Sequence, residues 1–167
     1  MRGPQGETPI ATSFADLYRE TVRDVYAYVA TLLGDRAAAE DVVAQAYERA
    51  YKKRRSFDER RGTPRAWLFG IARNAALDEL RRRKRTVALV AEPAELSTDD
   101  DPDAIARRTT VRAALQAMEP RDRELIALKY HGGLSNAEVG KLLGLSESNA
   151  GTKIHRAMTK LREACDA

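Results

Sequence analysis

Cysteine, aromatic residues and long apolar runs are all scarce in this chain. Its one cysteine, Cys165, lies two residues from the end, so no disulfide framework or thiolate metal site can form within the chain. No run of 18 apolar residues occurs, and the first residues contain no apolar core of signal-peptide length. We therefore expect a protein of the reducing cytoplasm that is neither exported nor inserted into a membrane.

Strand signals are also missing from the sequence. Aromatic residues make up only 6% of the chain, and no β-branched runs lie between turn residues, as strands would require. Helix formers such as Ala, Leu, Arg and Glu recur throughout. The composition predicts an all-α protein.

Charge divides the 167 residues into segments. Residues 14–85 hold 17 basic and 11 acidic side chains, residues 86–110 hold 2 and 6, and residues 111–167 hold 9 and 7. The acidic segment contains two prolines between 91 and 103 and lacks periodicity, which is typical of a flexible linker. We predict a flexible tail (1–13), a helical module (14–85), an acidic linker (86–110) and a second helical module (111–164). Basic modules suit a polyanion, although a merely solvated surface has the same charge.

Three helices are predicted in the first module. Apolar residues at helical spacing run from Phe14 to a stop at Gly34. Asp35 is placed to cap the second helix. Thr63 and Pro64 are typical of the N-cap and first residue of a third helix, which is predicted to reach about residue 85.

In the second module, a cap, a turn and another cap follow each other closely. After helices predicted near 104–118 and 120–130, Ser135 and Glu138 form a capping box. Gly144 then ends the short helix and Ser146 caps the next. A helix, a three-residue turn and a helix form the helix-turn-helix that binds DNA, although an ordinary helical hairpin uses the same caps.

The last predicted helix carries hydrogen-bonding side chains away from its apolar face. Such side chains reach base edges and phosphates in a major groove. The candidates for duplex contacts are Ser148, Asn149, Thr152, Lys153, His155 and Arg156. Lys153 and Lys160 lie nearer the packing edge, where contact with phosphate is the expectation.

Aromatic residues alternate with arginines in the first module, between residues 52 and 57 and again between 67 and 85. Rings beside cations suit single-stranded nucleic acid, because unstacked bases lie on the rings. For Trp67 and Phe69, a place in the core is an equally good interpretation. For the arginines at 81–85, a solvated helix end is the alternative.

With these motifs in place, the chain resembles an extracytoplasmic-function (ECF) sigma factor of the sigma-70 family. The resemblance is carried by FADLYRETVRDVYAYVATLLGD, AEDVVAQAYERAYKK, TPRAWLFGIARNAALDELRRRKR, ALQAMEPRDRELIALKYHGGLSNAEVGKLLGLS and HRAMTKLR. It covers nearly all of the chain outside the tail and linker, with region 2 at 14–85 and region 4 at 111–164. It implies that the chain brings RNA polymerase core to promoters.

The resemblance also implies roles for particular residues. Binding to the polymerase β′ clamp helices is implied for Asp41, Gln45 and Glu48. Capture and melting of the −10 promoter element is implied for Arg54, Arg55, Phe57, Arg61, Asn74, Asp78, Arg81 and Arg82. The last helix is implied to read the −35 element while its module binds the β flap, and an anti-sigma factor is an expected partner.

Two positions depart from the family pattern. Ala46 stands where an acidic residue usually follows the glutamine, and Gly151 occupies a recognition-helix position that is commonly basic. The second departure is expected to reduce or shift the −35 contacts. A glycine inside a helix also costs about 1 kcal/mol relative to alanine.

Two other classes of protein explain the sequence less well. A stand-alone helix-turn-helix regulator would explain residues 134–161 but not the first module. An enzyme is disfavoured, because the two histidines lie in a turn and on the recognition helix, and no Gly-rich phosphate loop or metal-spaced cluster occurs. We expect no catalysis and no cofactor.

Overall fold

The first two helices begin and end as local chemistry dictates. The computed structural model describes residues 9–85 and 101–167, with side chains from residue 14 onward. Helix α1 (Pro9–Leu33) starts five residues before the predicted Phe14, so the second half of the predicted tail is helical. The chain turns at Gly34, whose φ is 66°. Asp35 then accepts a hydrogen bond from the Ala38 amide and caps α2 (Arg36–Lys53), as predicted.

A basic loop leads from α2 into the third helix. It consists of two short 3₁₀ turns, Arg54–Ser56 and Glu59–Arg61. The Thr63 hydroxyl accepts the Ala66 amide proton at 3.1 Å and starts α3 (Pro64–Lys84). Helices α1, α2 and α3 pack against one another in all three pairings, because each has one stripe of buried apolar residues.

The second module has four helices. They are α4 (Pro102–Ala117), α5 (Pro120–Ile126, continued by a wider π turn at Ala127–His131), α6 (Asn136–Leu143) and α7 (Glu147–Asp166). Helix α4 starts at Pro102 because Asp101 caps it, so the last part of the predicted linker is helical. Residues 86–100 of that linker lie outside the described residues.

The two modules share one buried core. Val25, Tyr28 and Phe69 of the first module lie in the same cluster as Leu128 and Val139 of the second. A smaller cluster inside the second module joins α4, α5 and α7. The predicted all-α, two-module fold is confirmed, and the modules lie directly against each other.

No helix among residues 9–85 and 101–167 is long and apolar enough to cross a membrane.

Candidate nucleic-acid and protein interfaces

One polar stripe runs along the outer face of α2. Asp41, Gln45 and Glu48 are all exposed there, because they follow each other at three- and four-residue intervals opposite the buried side of the helix. Lys52 donates a hydrogen bond to Glu48 at 2.7 Å, which lowers the pKa of the Glu48 carboxyl. The side chains of Asp41 and Gln45 form no hydrogen bond or ion pair with another described residue.

The departure from the family pattern at Ala46 does not alter this stripe. Ala46 is fully buried, so its side chain belongs to the core between α2 and its neighbours. Ala44 is the exposed apolar residue between Asp41 and Gln45. Ala46 therefore lies outside the exposed stripe of Asp41, Gln45 and Glu48.

Aromatic rings flank the stripe on the side of α1. Tyr51 is 51% exposed, its ring meets Phe14 edge-on at 5.3 Å, and the Arg54 guanidinium lies 3.9 Å from the Tyr51 ring centroid. Tyr18 is 46% exposed and packs on Tyr47. The sequence has no local signal for this exposed cluster, because its contacts come from two helices.

The basic loop presents its charges unequally. Arg55 and Arg61 are exposed, whereas Arg54 donates to the Tyr51 carbonyl at 2.7 Å and stacks on the Tyr51 ring. Asp58 caps the second 3₁₀ turn, and hydrogen bonds from Arg60 lower the pKa of its carboxyl. The loop is thus held in shape by its own residues.

Phe57 does not present the open ring that was expected of a stacking platform. It is only 8% exposed, and its ring packs edge-on against Trp67 with centroids 5.6 Å apart. This contact ties the middle of the loop to α3. Phe69 is fully buried, so the core interpretation is confirmed for that residue.

The outer face of α3 carries the other predicted −10 residues. Asn74, Asp78, Arg81 and Arg82 are all exposed there. Asp78 accepts hydrogen bonds from Arg49 at 3.3 Å and Arg81 at 3.4 Å. Arg82 binds Glu79 through two nitrogens, at 2.9 and 2.8 Å, and this pairing lowers the pKa of Glu79. Most of these charges therefore have partners already.

A cleft of about 710 Å³ lies between the loop, α3 and α6. The first module lines it with Phe57, Arg61 and Asn74, among others, and α6 adds Lys141 and Leu142. Of the eight predicted −10 residues, these three line the cleft, whereas Arg54, Arg55, Asp78, Arg81 and Arg82 lie outside it.

The helix-turn-helix forms as the sequence predicts. The Ser135 hydroxyl accepts the Glu138 amide proton at 3.1 Å, and Glu138 accepts the Ser135 amide proton at 3.0 Å. Gly144 ends α6 with φ 70°. A Cβ on Gly140 would lie 2.5 Å from the Leu145 carbonyl oxygen, so only glycine permits this tight turn.

The recognition helix α7 exposes the predicted −35 residues. Ala150, Ile154, Ala157 and Leu161 are buried, and five candidates are exposed: Ser148, Asn149, Thr152, His155 and Arg156. Lys153 is half-buried. Lys160 pairs with Asp122 at 2.6 Å, which ties α7 to α5 and differs from the expected phosphate contact.

Gly151 lies against another helix rather than against open space. A Cβ at this position would lie 3.0 Å from Asn136 Nδ2. Asn136 is the first residue of α6, and its Oδ1 is buried without a hydrogen-bond partner in the part of the chain that the structure describes. The glycine thus lets α6 and α7 approach closely, a reason that sequence reasoning missed.

The remaining candidates for chemistry are dispersed. Burial lowers the pKa of His131, whereas His155 is exposed on α7. Cys165 is half-buried near the end of α7. Within the two described ranges, no group of three His, Cys, Asp or Glu side chains is placed to hold a metal ion.

Comparison with known proteins matches both modules. Residues 17–86 match sigma-70 region 2, and residues 108–161 match sigma-70 region 4. The ECF RNA polymerase sigma factor SigL of Mycobacterium tuberculosis is 33% identical over 150 residues, covering 87% of this chain and 85% of SigL. The ECF sigma factor SigK of Mycobacterium bovis is 29% identical over 161 residues, or 92% of this chain and 86% of SigK.

Solved structures share the fold over both modules. The sigma factor RpoE in complex with the anti-sigma factor NepR from Bartonella quintana matches with a TM-score of 0.74 and 22% identity, covering 93% of this chain and 98% of RpoE. CnrH in complex with the cytosolic domain of CnrY matches with a TM-score of 0.69 and 24% identity, covering 93% and 89%. With its two modules matched in order, the chain belongs to the ECF sigma factors of the sigma-70 family, which bind RNA polymerase core and direct it to promoters.

Proposed function

We propose that this sigma factor divides its work among three surfaces. The stripe of Asp41, Gln45 and Glu48 binds the β′ clamp helices of the polymerase. The basic loop and α3 capture and melt the −10 element, and α7 reads the −35 element as duplex while its module binds the β flap. The domains carrying these roles are residues 14–85 and 111–164.

One observation supports this proposal most strongly. Five of the six −35 candidates are exposed on the side of α7 that faces away from the packing residues, and the polar stripe of α2 is exposed on a different module. A chain with a DNA-reading helix and a separate protein-binding face suits an adaptor. A stand-alone helix-turn-helix regulator has no use for the second surface.

Run-off transcription tests the function directly. Purified core polymerase is given the chain and a linear promoter template, and the expected result is a discrete transcript that core alone does not make. If the chain leaves core inert but still binds duplex promoter DNA, the stand-alone regulator is the better description. Core incubated with the Asp41→Arg variant serves as the matched control.

An anti-sigma factor is proposed as a further partner. Support comes from the matched structures, in which RpoE is bound to NepR and CnrH to the cytosolic domain of CnrY. Co-purification of proteins with the untagged chain from its own cells, using an antibody against the chain, followed by mass spectrometry, tests this. A chain recovered with polymerase subunits alone would contradict it.

The chain is also proposed to act by binding alone, without catalysis, and in the cytoplasm. Action without catalysis is supported by the family and by the dispersed histidines and cysteine. Location in the cytoplasm is supported by the place of transcription. Cell fractionation tests the location. A run-off assay with purified components tests whether the chain is recovered unchanged and acts without an added cofactor.

A further inference from the structure

A second cavity, of about 440 Å³, lies where the end of α1 and the second half of α3 meet α5 and α6. Among the described residues, it shares only Arg73 with the cleft beside the basic loop. Pockets for small molecules typically measure about 300–1,000 Å³ and occur preferentially where domains meet. Both the size and the place of this cavity therefore suit a small ligand.

Leucine side chains form the apolar part of the cavity. Leu32 of α1 is only 6% exposed, and three further leucines are half-buried: Leu77 and Leu80 of α3 and Leu143 of α6. Among the described residues, no aromatic ring and no amide side chain lines the cavity, although these groups commonly recognise a nucleotide base. The lining therefore fits an aliphatic body better than a base.

Three arginines and one carboxylate line the same cavity, namely Arg73, Arg121, Arg123 and Glu124. The charge of Glu124 is already compensated, because Arg73 Nε donates to its Oε1 at 2.5 Å. Arg123 donates to three backbone carbonyl oxygens at the end of α4, and burial lowers the pKa of its guanidinium. Carbonyl oxygens carry no net charge, so the cavity has an excess of positive charge that an anion would compensate.

Arg121 is the arginine best placed to bind that anion. Its side chain is exposed, and it forms no hydrogen bond or ion pair with another described residue. Arg73 uses only Nε in its pair with Glu124, so its two terminal nitrogens have no partner within the described ranges. A guanidinium binds a carboxylate or a phosphate through two parallel hydrogen bonds. The cavity thus combines an apolar wall with unused donors for an anionic group.

We propose that this cavity binds a small anionic amphiphile, an aliphatic chain that ends in a carboxylate or a phosphate. The chain lies against the leucines, and the head group binds Arg121 and the terminal nitrogens of Arg73. Because the cavity is formed only in the folded chain, occupancy stabilises the fold. The site is independent of the roles proposed above for polymerase and promoter binding.

Isothermal titration calorimetry of the full chain tests the chemistry of the ligand. The probes are decanoate, decyl phosphate and decyltrimethylammonium, each below its critical micelle concentration. We expect one molecule of at least one anionic probe to bind per chain, and the tighter of the two identifies the preferred head group. Decyltrimethylammonium has the same chain with a cationic head and should not bind.

A shorter probe tests the apolar wall. Octanoate has two methylenes fewer than decanoate, and each methylene buried against the leucines contributes about fourfold in affinity, so octanoate should bind about 15-fold more weakly. Leu80→Ala should weaken both anionic probes, because it removes part of the same wall. Circular dichroism checks that this variant folds, and the comparison of octanoate with decanoate tests the wall without any substitution.

A matched pair of variants locates the head group. Arg121→Ala should weaken the binding of decanoate and decyl phosphate tenfold or more, and the fold should be preserved because Arg121 is exposed. Arg162→Ala makes the same change at an exposed site on α7 outside the cavity and should leave both affinities unchanged. The melting temperature of the parent chain should rise with decanoate concentration, and Arg121→Ala should reduce this rise.

Four results would overturn the inference. They are the absence of one-to-one binding by either anionic probe, equal affinity for decyltrimethylammonium, equal affinity for octanoate and decanoate, and equal affinities of Arg121→Ala and Arg162→Ala. None of these results bears on run-off transcription, so the proposed function stands or fails separately.

Discussion

The two surfaces proposed to bind DNA in this sigma factor differ in how many of their side chains already have hydrogen-bond or ion-pair partners. On α3, Asp78 contacts two arginines, and Arg82 is held by Glu79. On α7, the side chains of His155 and Arg156 have no partner among the residues that the structure describes. The helix α7, proposed to read duplex DNA, therefore offers unpaired side chains, whereas the proposed −10 surface would have to exchange existing contacts for new ones.

This difference agrees with what each surface is proposed to bind. Base edges in a duplex groove have fixed positions, so a rigid helix with free donors suits them. A single strand is flexible and is held by stacking and by charge along a groove. We expect the ion pairs on the outer face of α3 to hold the proposed −10 surface in shape until a strand replaces them.

The largest expected effect is at Phe57. Because its ring is buried against Trp67, Phe57→Ala should lower the free energy of unfolding by about 3 kcal/mol, measured by chemical denaturation. Tyr130→Ala, at a side chain that is 58% exposed, should lower the free energy of unfolding far less. If Phe57→Ala weakens −10 binding while stability is unchanged, the ring is a stacking platform. The −10 surface would then be less preformed than the contact between Phe57 and Trp67 indicates.

The next effect concerns α7. Arg156→Ala should cost about 1–3 kcal/mol at one base pair of the −35 element and relax selection there. The half-buried Lys153 should touch phosphate at most, so Lys153→Ala should weaken all sequences alike and lower the salt dependence. Binding to single-base −35 variants at two salt concentrations separates the two. A change of base preference by Lys153→Ala alone would contradict the helical phase.

A smaller effect is expected at the protein-binding stripe. Asp41 is exposed and has no hydrogen-bond or ion-pair partner among the described residues, so Asp41→Arg should weaken binding to polymerase core about tenfold (~1.4 kcal/mol) while stability stays within about 0.5 kcal/mol. Fluorescence anisotropy with labelled chain measures the affinity. Arg36→Asp, at the exposed start of α2, is the control for charge change. If Asp41→Arg binds core normally, core binds a different surface of the protein.

The capping residues show what sequence predicts well. Asp35, Thr63, Ser135 and Ser146 each accept a backbone amide proton three residues further along. All the atoms involved are local, so residue type and spacing suffice to predict the helix starts and the helix-turn-helix. The exposed faces of α2 and α7 follow from helical periodicity for the same reason.

Phe57 and Glu124 show where sequence reasoning stops. The partner of Phe57 lies ten residues on, across a turn, and Glu124 meets Tyr28 from 96 residues away. Neither pairing has a periodic or spacing signal in the sequence. The buried contact between the modules, and the partners already held by the −10 residues, therefore emerge only from the structure.

The smallest predicted effect is at Gly151. It tests whether α7 is already in its DNA-binding conformation in the free protein. Replacing a glycine inside a helix by alanine gains about 1 kcal/mol of stability. The new Cβ would lie 3.0 Å from Asn136 Nδ2, so that side chain must move by a few tenths of an ångström. Since Asn136 Oδ1 has no hydrogen-bond partner to lose, the shift should cost less than the gain.

We therefore expect Gly151→Ala to raise the free energy of unfolding by about 0.5–1 kcal/mol, with −35 affinity unchanged. Adding Asn136→Ala to Gly151→Ala removes the crowding, so a cycle of the two substitutions isolates their coupling. Duplex binding by the same variants decides what the glycine is for. If Gly151→Ala weakens −35 binding although the protein is more stable, DNA approaches the helix backbone at Gly151, and the glycine serves recognition rather than the packing of α6 on α7.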